Sequence, residues 1–185
     1  AWSGQRPPVP GDWVKTLDEG FDGPKLNERI WSLKTWWNGL LGGQTQRYSM
    51  DNLLFQDGVL RMKTEKRPGP QYDDPSLPSR DYTSGHIISY DKWTQAYGYF
   101  EARIRLPTVR GLWPAFWLMP DRGTAAGPEG WKRESTGNGG MEIDILEHLT
   151  EWCPGRYNVA CHWDGYDADH KQWGTAGVYY GPTPD

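Results

Sequence analysis

The sequence predicts an all-β fold, a sandwich or barrel assembled from short strands. Three observations carry that reading: helical periodicity is almost absent, short runs alternate apolar and polar residues, and Gly- and Pro-rich stretches separate those runs. In chain order, residues 53–55, 59–63 and 86–89 are brief strand candidates. Residues 97–106 give the cleanest pattern, with Tyr97, Tyr99, Glu101, Arg103 and Arg105 on one face and Phe100, Ala102, Ile104 and Leu106 on the other. Residues 112–119 alternate as well, placing Trp113, Ala115 and Trp117 together, while Pro114 calls for an edge position or a local irregularity. Residues 158–163 form the last candidate. Residues 66–82, rich in Pro, and 120–140, rich in Gly, are expected to be long loops, and no internal repeat is present. With 185 residues the chain is expected to form a single domain, 1–185.

Residues 142–147 hold three carboxylates, Glu142, Asp144 and Glu147, within an otherwise apolar run. Three acids crowded together imply a use for a shifted pKa or a bound cation. A helix scatters them, since Glu142 and Glu147 would lie about 140° apart. A regular strand places Glu142 and Asp144 on one face and Glu147 on the other. One inserted residue restores Glu147 to the shared face, and the adjacent apolar pair Ile145-Leu146 is where alternation fails. A β-bulge is therefore expected there, with all three acids pointing out of one sheet over a core packed by the isoleucines.

The net charge of −4 and a pI near 5.6 give no argument for nucleic acid or an anionic membrane surface. No run approaches the about 20 apolar residues of a membrane-spanning helix, and residues 1–7 lack the apolar core of a signal peptide, so the chain reads as soluble and already processed. Twelve Trp and ten Tyr against four Phe favour rings with a flat apolar face and a polar edge, which suits stacking on sugars as well as core packing. The loop at 120–140 runs directly into the acids, which makes it a candidate cleft wall and Trp131 a candidate sugar contact. Cys153 and Cys161 fit either a disulfide between neighbouring strands or two thiols, and without a Cys-x-x-Cys pair they do not suggest zinc.

Four segments in order, Ser84-Gly85-His86-Ile87-Ile88-Ser89, Tyr97-Gly98-Tyr99-Phe100-Glu101-Ala102-Arg103, Leu112-Trp113-Pro114-Ala115-Phe116-Trp117 and Glu142-Ile143-Asp144-Ile145-Leu146-Glu147, together resemble glycoside hydrolase family 16. That family includes laminarinases, lichenases, agarases, porphyranases and carrageenases, and the acid motif matches its bulge-containing subgroup. The resemblance implies a lectin-like jelly-roll sandwich of two antiparallel sheets and a retaining endo-β-glycanase, with Glu142 as nucleophile, Glu147 as acid/base and Asp144 tuning Glu142. It further implies sugar contacts for Asn52, Glu101, Arg103, Trp113, Trp117 and His162. The substrate class it implies is β-1,3-glucan or a marine galactan such as agar, porphyran or carrageenan. A monomer that is secreted, periplasmic or at the cell surface, needing no cofactor, goes with that activity. Some relatives hold a structural calcium near Glu19, but here Gly20 splits the usual acidic run as Asp18-Glu19-Gly20-Phe21. Relatives also continue past residues 181–185 into further strands, so the chain is expected to be a truncated catalytic domain. Two other readings compete. A non-catalytic carbohydrate-binding jelly-roll module would use the aromatics, and a calcium or magnesium site would use the three carboxylates.

Overall fold

A computed structural model describes residues 7–35, 43–122, 136–151, 155–175 and 178–179. They fall into two compact units that divide between Tyr97 and Gly98.

The amino-terminal unit is built from paired short strands. Gln46–Tyr48 (β1) lies parallel to Tyr82–Ser84 (β6), a departure from the purely antiparallel pairing expected. Leu53–Gln56 (β2) and Val59–Met62 (β3), both expected, form a hairpin. Its turn is Asp57-Gly58, with φ of 55° and 66°, the two positive values that a right-twisting hairpin turn requires. Residues 66–82, expected to be a structureless loop, hold the small pair Gly69–Pro70 (β4) and Ser79–Arg80 (β5). Those residues are ordered from inside: buried Arg47 donates to the Pro70 carbonyl at 3.0 Å and to Asp73 Oδ1 at 2.6 Å. Residues 86–89 make no strand, only a bridge from Ile88 to Ser32. Leu26, Leu33, Tyr48, Leu53 and Tyr72 form the core, with Trp31, Phe55, Leu60, Leu77 and Ile87 packed against it. Near the start of this unit Glu19 accepts from the Phe21 amide at 2.9 Å and from Trp31 Nε1 at 3.3 Å.

The second unit centres on an antiparallel sheet of Ala115–Leu118 (β7), Met141–Glu147 (β8), Arg156–Trp163 (β9) and Lys171–Gly174 (β10) in the order β10-β9-β8-β7. Val178–Tyr179 (β11) pairs with the far end of β9. Among the described residues β7 is an edge strand, and Pro114 sits just before it, where a missing amide costs no ladder bond. Residues 97–106 are not a strand, despite the best alternation in the chain. Alternation marks a two-sided segment, but a strand is stabilised by its ladder, and no strand among the described residues pairs with this one. Among the described residues the isoleucines under the acids are not a closed core: Ile143 is 37% and Met141 43% exposed on the face opposite Asp144, and Ile145 is half-buried.

Candidate active site

The acids are carried by β8, which lies between β7 and β9. Directly opposed residues of antiparallel strands point to the same face, so the register decides which side chains meet. Glu142 opposes His162, Asp144 opposes Ala160, and Glu147 opposes Asn158. From Asp144 to Glu147 is three residues, whereas Ala160 to Asn158 is two, so β8 carries one residue more than its partner. Toward β7 the same extra residue appears: Trp117 opposes Asp144 and Phe116 opposes Leu146, leaving Ile145 with no opposite. This is the β-bulge expected at Ile145-Leu146. Asn158, Ala160 and His162 alternate along one face of β9, hence Glu142, Asp144 and Glu147 share that face with Trp117.

Each carboxylate then finds a different donor. Trp113 Nε1 donates to Glu147 Oε1 at 2.9 Å, so this indole serves the carboxylate as well as offering its open ring. Backbone bonds that prolong the β7/β8 pairing hold Trp113 there, from the His148 amide to the Pro114 carbonyl at 2.9 Å and from the Thr150 amide to the Leu112 carbonyl at 3.2 Å. Asp144, almost fully buried, lies with Oδ2 3.3 Å from His162 Nε2. Nδ1 of His162 lies 3.0 Å from Nε2 of His170, with the two rings stacked at 5.1 Å. One run of donors satisfies this line: His170 Nε2–H to His162 Nδ1, then His162 Nε2–H to Asp144. Glu142 Oε2 accepts from the Tyr166 hydroxyl.

The electrostatics separate the acids. Burial pushes the Asp144 carboxyl up to about 8, helped by the charges of Glu142 and Glu147 and by its hydrogen bond to Glu142. At neutral pH Asp144 therefore keeps its proton and donates it toward Glu142. Burial also raises Glu147, with Glu142 adding to the effect and the Trp113 bond and His162 opposing it. A carboxyl that burial biases toward its acid form is suited to giving a proton to a leaving oxygen.

Tyr166 and His170 escaped the sequence, because they sit in the connection between β9 and β10 with no patterned run around them. An Asp164-Gly165 turn precedes them, the one local signal that could have drawn attention to it. The remaining expected sugar contacts are carried by other segments of the chain. Asn52 is fully buried in the amino-terminal unit, where its amide donates to the Lys63 carbonyl at 2.9 Å and its oxygen accepts from Arg67 at 2.7 Å. Glu101 and Arg103 are exposed on the non-strand segment, and Glu101 accepts a hydrogen bond from Tyr99. Trp131 and Cys153 lie outside the described residues; Cys161 is a half-buried free thiol on β9. Among the described residues no group of three or more His, Cys, Asp or Glu is arranged to hold a metal ion.

Residues 42–177 match the family described as glycosyl hydrolases family 16. A β-glucanase from Rhodothermus marinus is 39% identical over 144 residues, covering 74% of this chain and 44% of that protein. β-Porphyranase C from Zobellia galactanivorans is 30% identical over 180 residues, covering 85% of this chain and 48% of that protein. Among solved structures, one from work on endo-acting O-glycanases of the human gut microbiota superposes with a TM-score of 0.71 at 24% identity, over 92% of this chain and 61% of that one. A family 16 endo-glucanase from Bacteroides ovatus gives 0.55 at 24% identity, over 89% and 63% respectively. The chain thus spans less than half the length of these two curated relatives. A match through residues 42–177 that includes the bulged acid strand makes the chain a member of glycosyl hydrolase family 16, with that family's jelly-roll β-sandwich fold.

Proposed function

We propose that the protein hydrolyses a β-linked polysaccharide internally and with retention of anomeric configuration. The single observation that carries this reading is the bulge at Ile145-Leu146, which brings Glu142 and Glu147 onto one face with a protonated Asp144 between them. In the first step Glu142 attacks the anomeric carbon while Glu147 gives its proton to the departing glycosidic oxygen. In the second, Glu147 takes a proton from water, whose oxygen displaces Glu142 and frees the sugar. Direct attack requires the two carboxyls to stand about 5–5.5 Å apart. Once Glu142 is esterified its charge is gone, so Glu147 sheds its proton more readily and turns from acid to base.

Trp113 and Trp117, on the acid face, would stack on the pyranose rings, and His162 would meet the sugar beyond the scissile bond. Relatives are named as a β-glucanase and a β-porphyranase, which supports a β-1,3-glucan or a marine galactan as substrate. The test is cleavage of laminarin, mixed-linkage glucan, agarose, porphyran and carrageenan by the protein beside Glu142→Gln and Glu147→Gln. Cleavage of one polymer, lost in both variants, is expected. Sugar binding without turnover in the unmodified protein would instead make this a carbohydrate-binding module.

A further inference from the structure

Tyr166 touches Glu142 through its hydroxyl, and none of the sequence motifs contains it. It follows a turn in which Asp164 and Gly165 take φ of 60° and 83°, and the Gly165 amide is tied to the buried Thr136 hydroxyl at 3.1 Å. The Tyr166 ring leans on His170, with centroids 5.8 Å apart. His170 is in turn bonded to His162, the cross-strand neighbour of Glu142. The hydroxyl is therefore anchored from behind while half of the side chain stays open. Burial and the neighbouring Glu142 raise the Tyr166 hydroxyl above its ordinary value, so it remains a donor at any working pH.

We propose that Tyr166 is a positioning residue for Glu142: its hydroxyl donates to Oε2 and leaves Oε1 as the oxygen that attacks the anomeric carbon. The proposal rests on the reading of Glu142 as nucleophile. As Oε1 bonds to carbon, the glycosidic C–O bond breaks and the Glu147 proton passes to the leaving oxygen. The charge that Tyr166 had stabilised disappears into an ester whose carbonyl oxygen is Oε2. In the second step water attacks, its proton goes to Glu147, and the electron pair of the C–Oε1 bond returns to Glu142. Tyr166 regains an anionic acceptor at that moment, so it assists the departure of Glu142 as well as its aim.

Tyr166→Phe keeps the ring and is expected to leave the melting temperature unchanged. It should lower kcat/KM on the cleaved glycan about 10- to 100-fold. The acidic limb of the pH profile should move to higher pH, since a carboxylate that has lost a donor holds a proton more firmly. In a Glu142→Gly background rescued by azide, the same substitution should change the rescued rate less than about twofold, because the carboxyl it serves is gone. An equal loss in both backgrounds would show that Tyr166 acts on the sugar instead, and would overturn the proposal. A wild-type rate and pH profile in Tyr166→Phe, beside an inactive Glu142→Gln, overturns the proposal alone. Full activity in Glu142→Gln overturns the nucleophile assignment and this inference with it.

Discussion

Glu147 is pulled in two directions at once, with burial favouring its acid form and the Trp113 indole favouring its anion. An acid that must both give and take a proton within one turnover gains from such a balance. Trp113→Phe removes the donor and trims the ring, so Glu147 should hold its proton to higher pH; in an Asp144→Asn background, where Glu147 alone sets the alkaline limb of kcat/KM, that limb should shift upward. The rate loss should be less than about tenfold, in keeping with a single bond at an open position. A limb that does not move would mean the indole merely packs. For Asp144 the sign is set by its proton: kcat/KM should fall as pH rises through about 8, where Asp144 ionises beside Glu142. Asp144→Asn keeps a donor that cannot ionise, so the fall near that pH should disappear, whereas Asp144→Ala should lose about 100-fold at neutral pH. An Asn variant with the wild-type alkaline limb would show that Asp144 is not the group being titrated.

At the scale of elements the bulge is the device on which the site depends. Deleting Ile145 restores a regular strand and turns Glu147 to the opposite face, so activity should vanish while the far-ultraviolet circular dichroism of the sheet persists. Retention of activity in that deletion would break the link between bulge and catalysis. The bulge was legible in the sequence because a broken period of two leaves a visible scar, two apolar residues side by side between alternating acids. The β2/β3 hairpin, β7 and β9 were legible for the same reason. Residues 97–106 alternate just as well, yet pairing comes from elsewhere in the chain, and a local pattern carries no information about the partner. Tyr166 and His170 show the complementary failure. Their placement comes from a turn and from the registry of β9 against β8, which are properties of three dimensions rather than of spacing. Asn52 illustrates the same limit: its burial inside the amino-terminal unit, bonded to the Lys63 carbonyl and to Arg67, is set by tertiary pairing that local spacing does not reveal.

For the whole molecule, the amino-terminal unit brings its own pH dependence. His86 stacks on Tyr48 at 4.7 Å, and burial pushes its ring down to about 4. Its folded value lies below that of an unfolded chain, so the associated stability is complete above about pH 6.5 and is lost as pH falls toward 4. Denaturant titrations at pH 7, 5.5 and 4 should show a decline that His86→Phe makes shallower, the difference reaching about 3 kcal/mol by pH 4. Equal slopes in the two proteins would exclude His86 as the source. The site itself stands on one central claim, that a bulge sets Glu142 to attack and Glu147 to move the proton. The most direct measurement is the configuration of the glycosyl azides formed when Glu142→Gly and Glu147→Gly are rescued with azide on an activated β-glycoside. Glu142→Gly should yield the α-azide, by single displacement into the space of the missing nucleophile, and Glu147→Gly the β-azide, by attack on the glycosyl-enzyme. A β-azide from Glu142→Gly would reverse the two roles and contradict the claim.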